Sequence, residues 1–424
     1  MKSEKSWGRL GMKFKQTEIG CIPEHWKVLP IRDVTMAVTD YVANGSFASL
    51  AANVSYKDDK DVAVLIRLVD YNNNFQGNFV YIDDHAYNFL SKSKLYGGEI
   101  IISNVGANVG TVFRCPTLPY KMSLAPNSIM VKFNENNDFY FHWLKSRNGQ
   151  QMIKSIVTGS AQPKFNKTNF RQMLVPVPPI EEQNRIAAIL NAIDDKINKN
   201  RQINDNLELQ AQSYFQKLFV DNANPKWKSG TISDLGLVVG GSTPSKAKAE
   251  YYTNSGIAWI TPKDLSVNKS KFITHGGNDI TELGLKNSSA TIMPKGTVLF
   301  SSRAPIGYIA IAAGEVTTNQ GFKSIVPKTE IGTAFVYFFL KYNLLIIEGM
   351  ASGSTFKEVS GNTMRNIPAT IPDEETLVQF NSFCTPIFAQ QRILEDQNHA
   401  LAILRDGLLP KLMSGEIDVS TIQL

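Results

Sequence analysis

The sequence predicts an α+β protein in which two globular domains are separated by two long helices that form a coiled coil. Three observations predict this fold. A unit of about 200 residues occurs twice, the first part of each unit has short β-rich segments punctuated by Gly, Asn and Pro, and the second part has a sustained heptad pattern. We therefore predict a pseudo-two-fold internal repeat within the 424-residue chain.

The internal repeat is visible in matched segments at nearly constant offsets. The dipeptide WK at Trp26 recurs at Trp227, and the segment that begins GSAQPKF at Gly159 aligns without a gap with GSTFKEV at Gly353. Between these anchors, GGEIIISNVGANVGTVF resembles PKGTVLFSSRAPIGYIAI. Two copies are too few for a solenoid, so we interpret the chain as a pseudo-dimer.

The repeat divides the chain into segments of different character. Helical stretches such as FYFHWLKSRNGQQMIKSI and AFVYFFLKYNLLIIEGM lie among the β-rich runs, which makes each globular part α+β. The predicted boundaries are 1–25 for an N-terminal arm, 26–179 for the first globular domain, 180–220 for the first helix, 221–373 for the second globular domain, 374–412 for the second helix and 413–424 for a C-terminal tail.

Heptad spacing predicts the two long helices. Apolar and a few polar residues recur at alternating steps of four and three over 186–218, and again over 380–412. Each member of the second series lies 194 positions after its counterpart, so Asn204 and Asn398 are equivalent. A polar residue in such a seam lowers stability but fixes register. If the helices run antiparallel about a two-fold axis near this point, the two Asn side chains meet; otherwise each faces solvent.

The distribution of charge favours a polyanionic partner for the two globular domains. Residues 26–175 contain 16 Lys and Arg against 11 Asp and Glu, and residues 225–372 contain 15 against 9. The helical segments 180–220 and 374–412 have 5 against 6 and 3 against 5. A basic excess in two separate domains suits a long polyanion, and double-stranded DNA is the obvious one. A solvated surface of mixed sign is the alternative interpretation of the charge alone.

Composition and motifs argue against several other classes of protein. No apolar stretch approaches the roughly 20 residues of a membrane span, and three widely separated cysteines fit a reduced cytoplasm better than a disulfide framework. The sequence has no phosphate-binding loop, dinucleotide-binding fingerprint or nucleophile elbow. The five His are isolated, without metal-ligand spacing. We therefore expect a cytoplasmic binding protein with no catalytic, cofactor-binding or metal-binding residues.

Several motifs, in order and partly doubled, carry a family resemblance over nearly the full length. They are QTEIGCIPEHWKVLPIRDV from Gln16, the pattern GS…R…P.P..EEQ.RIA.IL.AID from Gly159 to Asp194, FSSRAPIGYIAIA from Phe300, TTNQGF from Thr317 and LLPKLMSGEID from Leu408. On these residues the chain resembles the specificity (S) subunit of type I restriction–modification enzymes.

The resemblance implies that both globular parts are target recognition domains, each of which reads one half of a short bipartite asymmetric DNA site. The helices would pack antiparallel, set the spacing of the half-sites and dock two modification subunits. Those methyltransferase subunits would bind S-adenosylmethionine and methylate adenine N6 after flipping the base. Restriction subunits, with ATP and Mg, would translocate and cleave DNA. The chain itself would be non-catalytic and would bind no cofactor.

The sequence departs from the family pattern in two places. The second half has DEETL from Asp373 where the first has PIEEQ from Pro179, so the Gln is absent. The first domain has SNVGANVG where the second has SSRAPIG, which contains Arg303. Corresponding loops are therefore not required to contact DNA in the same way.

Polar residues in the repeated loops are the candidate DNA contacts, because such side chains bind phosphates and base edges. In the first domain these candidates are Ser103, Asn104, Lys121, Asn127, Ser160, Gln162, Lys164 and Asn166. In the second domain they are Lys246, Lys248, Ser302, Arg303, Asn319, Gln320, Ser354 and Lys357. The alternative is that such residues only cap or turn the backbone, and Gly159 and Gly353 are better explained as backbone requirements.

Two other functions remain open from the sequence alone. One is a non-DNA coiled-coil scaffold or adaptor whose globular ends bind protein; DNA would not compete for that binding at low salt. The other is a divergent standalone DNA-modifying enzyme; the purified chain alone would then methylate or cut DNA.

Overall fold

The computed structural model describes residues 13–303, 305–353, 357–420 and 422. The chain divides into two compact units. The first combines residues up to Lys196 with those from Leu401 onward, and the second is Ile197–Ala400. None of the described helices has both the length and the apolar character that crossing a membrane requires.

The first repeat alternates short strands with short helices and ends in one long helix. Its strands are β1 (Phe14–Thr17), β2 (Gly20–Pro23), β3 (Lys27–Pro30), β4 (Thr35–Asp40), β5 (Ala63–Ile66), β6 (Val80–Ile82), β7 (Lys94–Leu95), β8 (Ile100–Ser103), β9 (Val112–Arg114), β10 (Lys121–Leu124), β11 (Ser128–Phe133) and β12 (Leu174–Val177). Its helices are α1 (Phe47–Asn53), α2 (Leu68–Asn72), α3 (Asp84–Phe89), α4 (Asn137–Lys145), α5 (Arg147–Ser155), α6 (Lys167–Gln172) and α7 (Ile180–Gln216).

The second repeat has a similar but not identical order of elements. Its strands are β13 (Lys228–Thr231), β14 (Gly236–Gly240), β15 (Tyr252–Thr253), β16 (Ile257–Ile260), β17 (Phe272–Ile273), β18 (Asn278–Ile280), β19 (Val298–Ser302), β20 (Ile306–Ala312), β21 (Thr317–Thr318), β22 (Lys323–Pro327) and β23 (Pro368–Ile371). Its helices are α8 (Ile232–Leu235), α9 (Pro262–Val267), α10 (Glu282–Lys286), α11 (Thr333–Tyr342), α12 (Leu344–Gly349), α13 (Gly361–Arg365) and α14 (Glu374–Met413).

Most strands of the sheets in the two units correspond, although β1, β2 and β7 of the first unit and β15 and β17 of the second have no counterpart. The first unit has an antiparallel sheet of order β4-β11-β8-β9, and the second has β14-β22-β19-β20 extended by β17. A second sheet has the order β6-β5-β10-β7 in the first unit and β15-β18-β16-β21 in the second, so that β6-β5-β10 corresponds to β18-β16-β21. Each of these sheets contains one parallel pair, β5 with β10 or β16 with β21. The pairs β3-β12 and β13-β23 also correspond. The predicted α+β fold and the internal repeat are therefore confirmed.

Buried apolar side chains join the sheets and helices of each unit. In the first unit, Ile101 of β8 and Val64 of β5 belong to one buried cluster, which joins the two sheets. Strand residues with alternating or fully apolar character supply these contacts, as expected for strands covered on one or both faces. In the second unit, Phe335 and Phe338 of α11 lie in a cluster with Phe380 of α14. Each globular part thus has its own core and also packs on a long helix.

Each helical stretch predicted before the long helices is broken into two. The first is interrupted at Ser146, whose hydroxyl accepts a hydrogen bond from the amide of Gly149 at 3.2 Å and so caps α5. The second is interrupted at Asn343, between α11 and α12.

Segments of α7 and α14 run antiparallel within each unit. In the first unit, Asp194 of α7 forms an ion pair with Arg405 of α14 at 3.0 Å. In the second unit, Asn200 is next to Asn398, and the ring of Tyr214, farther along α7, lies 6.0 Å from that of Phe380, earlier in α14. This order of partners is that of antiparallel helices, as the coiled-coil prediction requires.

Asn204 and Asn398 do not meet. The amide nitrogen of Asn200 donates to Oδ1 of Asn398 at 3.0 Å, whereas Gln391 Nε2 donates to the backbone carbonyl of Asn204 at 3.1 Å. The antiparallel register places Asn398 opposite Asn200, about one helical turn before Asn204. The seam therefore contains a polar layer of several amides, and not the single Asn pair that the repeat suggested.

Candidate nucleic-acid interface

Three loops of the first unit meet at one end of the strands of its antiparallel sheet. This group of loops is called the first edge, and its counterpart in the second unit the second edge. The amide of Asn104, directly after β8, donates to the carbonyl of Asn127, directly before β11, at 3.0 Å. Nδ2 of Asn104 donates to the carbonyl of Phe165 at 3.1 Å. The amide of Gly106 donates to the carbonyl of Pro163 at 2.9 Å. These bonds hold the loops after β8, before β11 and before α6 side by side.

The ends of β4 and α6 complete the same edge. Asp40, the last residue of β4, pairs in register with Ile129 of β11. Its carboxylate accepts from Nζ of Lys167 at 3.0 Å, which joins the start of α6 to β4. Asn166 caps α6, because its Oδ1 accepts from the amide of Asn169 at 2.7 Å. Local capping thus fixes the loop that carries the predicted residues 160–166.

Most of the predicted first-domain residues lie on this edge, but they are not equally accessible. Asn127, Ser160, Gln162, Lys164 and Asn166 are exposed, and Asn104 is half-buried. Ser103 is buried, so its side chain faces the interior. Asn127 has a positive φ of 66°, a conformation that Asn tolerates better than most residues. The edge therefore presents amides, the hydroxyl of Ser160 and the ammonium group of Lys164 to solvent.

Lys121 is separated from the other first-domain candidates. It begins β10, whose opposite end leads to Asn127. Its Nζ lies 3.3 Å from the carboxylate of Asp84 and 5.2 Å from the centre of the Tyr87 ring. A four-residue strand is about 13 Å long, so Lys121 lies at the far side of the second sheet.

The corresponding edge of the second unit is built in the same way. The amide of Ser302, at the end of β19, donates to the carbonyl of Gly321 at 2.8 Å, and the amide of Val359 donates to the carbonyl of Ser302 at 3.0 Å. The amide of Ser242, after β14, donates to the carbonyl of Thr318 at 2.9 Å. The loops after β14 and β19, before β22 and before α13 therefore converge, as their counterparts do in the first unit.

A cluster of charges distinguishes the second edge. Glu358 lies 3.2 Å from Nζ of Lys323 and 3.6 Å from Nη1 of Arg303. Nζ of Lys323 also approaches the carbonyl of Gln320 at 3.5 Å. The sequence prediction missed Glu358 and Lys323, although Glu358 is 194 positions after Lys164 and the repeat alignment could have identified it. At this position the two edges differ in the sign of their charge.

The remaining predicted residues of the second unit have varied surroundings. Gln320 is exposed and hydrogen-bonds with Thr243, Asn319 is half-buried, and Ser302 is buried. Lys246, Lys248 and Lys357 are exposed; Nζ of Lys248 donates to the Tyr251 hydroxyl at 3.0 Å, which raises the pKa of Lys248. Ser354 lies outside the described residues. Within the described ranges no group of three His, Cys, Asp or Glu is arranged to hold a metal ion.

Known proteins resemble the chain in sequence and in fold. The MjaIX specificity subunit of a type I restriction enzyme from Methanocaldococcus jannaschii is 39% identical over 166 residues, which cover 39% of this chain and 38% of that relative. The HindI specificity subunit from Haemophilus influenzae is 22% identical over 455 residues, covering 88% and 98%. The crystal structure of an S subunit from M. genitalium shares the fold, with a TM-score of 0.58, 15% identity and coverage of 96% and 98%.

A family model described as type I restriction modification DNA specificity domain matches the chain twice, over residues 23–209 and 224–400. Each match includes one of the two sheet edges and most of one long helix. The chain therefore belongs to the type I restriction–modification DNA specificity family, with two copies of the family's domain.

Proposed function

We propose that the chain is the DNA specificity subunit of a type I restriction–modification complex. The observation that carries the proposal is the repeated edge: equivalent loops of two equivalent domains converge on a surface of amides and cations, in a chain of this family. Each edge would read one half of a bipartite site. Because the residues of the two edges differ, the two half-sites would differ in sequence, and the site would be asymmetric.

The accessible candidate residues of the two units divide by chemistry into two roles. Lys164, Lys246, Lys248 and Lys357 would contact phosphates, which supplies affinity and a dependence on salt. Amides and Arg303 would contact base edges in the major groove, where Asn and Gln pair with adenine and Arg with guanine. The buried Ser103 and Ser302 would support the loops from beneath without touching DNA. In this role the chain needs no catalytic group of its own.

The long helices would set the spacing between the half-sites. α7 and α14 have 37 and 40 residues, so at about 1.5 Å per residue each is roughly 55–60 Å long. Such a length spans more than one turn of duplex DNA, which suits half-sites separated by a spacer that the protein does not read.

The solvent side of the helices offers a surface for other subunits. On the helix segments of the second unit, Leu209, Val378 and Phe383 are 61%, 56% and 39% exposed. Leu209 and Phe383 line a shallow groove of about 450 Å³ with polar neighbours around them. Exposed apolar groups with a polar rim are typical of protein interfaces. Two modification subunits would dock on the helices and supply S-adenosylmethionine and methyl transfer, and restriction subunits would supply ATP- and Mg-dependent translocation and cleavage.

Deletion of the gene tests the proposal in the cell. Sequencing of methylated adenines should reveal one motif with two specific blocks and a fixed gap, and this motif should lose its methylation in the deletion strain. Re-expression of the chain should restore it. An unchanged set of methylated motifs after deletion would overturn the proposed function. Methylation by the purified chain alone would instead favour a standalone enzyme.

A further inference from the structure

The loop between α2 and β6, residues 73–79, lies at the candidate DNA-binding edge of the first unit. β5 and β10 are parallel neighbours with Ile66 opposite Leu124, so both strands end at the same side of their sheet. The amide of Ala125 donates to the carbonyl of Ile66 at 3.2 Å. After β10 the chain reaches Asn127, a candidate contact, and after β5 it enters α2 and this loop. The order of the strands therefore brings the loop to the candidate interface.

The loop has an unusual backbone for residues other than glycine. Asn74 and Phe75 are consecutive and have φ angles of 52° and 55°. The left-handed region is unfavourable for residues with a Cβ, and two in succession persist only when the surrounding contacts hold them. Such conformations concentrate at functional sites, so the strain calls for a functional explanation.

An aromatic anchor and backbone hydrogen bonds hold this conformation. The ring of Phe75 lies 6.1 Å from that of Tyr71 and 6.4 Å from that of Phe113, which is buried in the core of the first unit. The amide of Phe75 donates to the carbonyl of Asp70 at 2.7 Å. Nη2 of Arg67 donates to the carbonyl of Asn78 at 3.0 Å. The backbone of the loop is thus held by contacts on its inner side, while its polar side chains are exposed to solvent.

The side chains around this anchor are almost all carboxamides. The exposed residues that carry them are Asn72, Asn73, Asn74, Gln76 and Asn78. None of these five side chains makes a hydrogen bond to another of the described residues, in contrast to Asn104 and Asn166 nearby. A rigid tip with five unengaged amides is suited to bidentate hydrogen bonds with a ligand.

The equivalent loop of the second unit has a different composition and different hydrogen bonds. It follows β16 and reads TPKDLSVNKSK from Thr261, with a single carboxamide at Asn268. Oδ1 of Asn268 accepts from the amide of Ser270 at 3.0 Å, so it is already used within the protein. The amide-rich tip is therefore a property of the first unit alone.

We propose that residues 72–78 form a base-reading element of the first recognition domain that contacts adenine in the major groove. An Asn or Gln carboxamide can donate to N7 and accept from N6 of adenine at the same time, and no other base offers this pair of groups in that arrangement. Phe75 would act as a positioning residue that fixes the tip from inside. The inference rests on the proposed function and adds the chemical identity of one base that the first domain reads.

The test is selection of bound duplexes from a random-sequence library by the full chain in complex with its modification subunits. The double variant N73A/Q76A should lose about tenfold or more of the preference for adenine at one or two positions of one block, while the other block stays unchanged. The matched control is N88A. Asn88 is exposed on α3, which follows the other end of β6, so this variant should leave both blocks unchanged. F75A keeps every carboxamide side chain and should weaken the preference for adenine at the same positions.

The other possible results overturn either this inference or the proposed function. Unchanged adenine preference in N73A/Q76A overturns the inference and leaves the proposed function intact. An equal loss in both blocks also overturns it, because the loop would then act through general affinity or folding. A wild-type complex that enriches no sequence overturns the proposed function itself.

Discussion

The ammonium group of Lys271 forms an ion pair with the carboxylate of Glu208 in the interior of the second unit. Lys271 belongs to the globular part, directly before β17, and Glu208 to α7. Nζ of Lys271 also donates to Oε1 of Gln391 on α14 at 2.7 Å. Burial lowers the pKa of Lys271. Although burial alone would raise the pKa of Glu208, Lys271 and Lys341 hold it below its usual value. A buried charge cluster therefore attaches the domain to both helix segments.

Removal of the Lys271 charge should strongly destabilise the second unit. K271M would leave the half-buried Glu208 carboxylate with Lys341 as its remaining cationic partner, and loss of one partner of a largely buried ion pair costs about 3 kcal/mol. Urea denaturation of the variant should report a loss of this size in the free energy of unfolding. K263M, which changes an exposed lysine on α9, should shift it by less than about 0.5 kcal/mol. Equal effects of the two variants would show that the cluster contributes nothing specific.

The Asn200–Asn398 hydrogen bond should appear as a coupling between the two helix segments. Asn200 is fully buried, so N398L leaves its amide nitrogen with only the longer 3.3 Å contact to Gln397. In a double-mutant cycle with N200L, we expect the double variant to be more stable than either single one, with a coupling of about 1 kcal/mol. N198L, on the exposed side of α7, is the control for the added apolar group. Strict additivity would contradict a direct interaction.

The stability of the first unit should depend on pH through His142. His142 is 3% exposed, and its Nε2 donates to Oδ1 of Asn191 at 2.8 Å. Nδ2 of Asn191 donates in turn to the carboxylate of Asp138 at 2.6 Å. Burial lowers the pKa of His142 in the folded state. The unfolded chain therefore binds the proton first, and the free energy of unfolding should fall as pH falls below about 6.5, by up to about 1.4 kcal/mol per unit.

Substitution of His142 isolates this contribution. H142Q should flatten the decline in unfolding free energy between pH 7 and pH 5, whereas H85Q, at an exposed histidine, should not. Thermal or urea unfolding at several pH values measures both. If the free energy of unfolding declined with the same slope in the wild type, H142Q and H85Q, the pH dependence would belong to other groups.

Lys164 and Lys121 provide a matched test of which face meets DNA. Both are exposed lysines of the first unit, but Lys164 lies on the edge where the loops converge and Lys121 at the other end of β10. K164Q should weaken binding of the complex to all duplexes alike and reduce the slope of log affinity against log salt by about 1. K121Q should change neither quantity. The reverse result would place the DNA on the opposite side of the domain.

The sequence anticipated the elements that depend on local pattern. Heptads separated by 194 positions predicted α7 and α14, and matched motifs predicted equivalent domains. The convergence of Asn104, Asn127 and Lys164 is non-local, and only repeated loop motifs hinted at it. Lys121 is a candidate of the same set although β10 separates it from Asn127, because a sequence does not tell at which end of a short strand a residue lies relative to the other loops. The register of α7 against α14 separated Asn204 from Asn398, since an offset within the chain does not determine where two antiparallel helices cross.

The proposed base-reading loop is visible in the sequence as NNNFQGN but carries no motif that predicts a binding role. Asn and Gly clusters are common in ordinary turns, and composition alone does not separate the two cases. The positive φ angles at Asn74 and Phe75 and the aromatic anchor, which distinguish this loop, depend on tertiary contacts with Phe113.

The most direct test of the account is the pattern of sequence enriched from a random duplex library by the wild-type chain with its modification subunits. The account predicts two short conserved blocks of different sequence, separated by a spacer of constant length and free composition. Alanine substitutions on the first edge should alter only one block and those on the second edge only the other. A single continuous motif, a spacer of variable length, or one edge altering both blocks would contradict two independent reading domains at a spacing that the helices set.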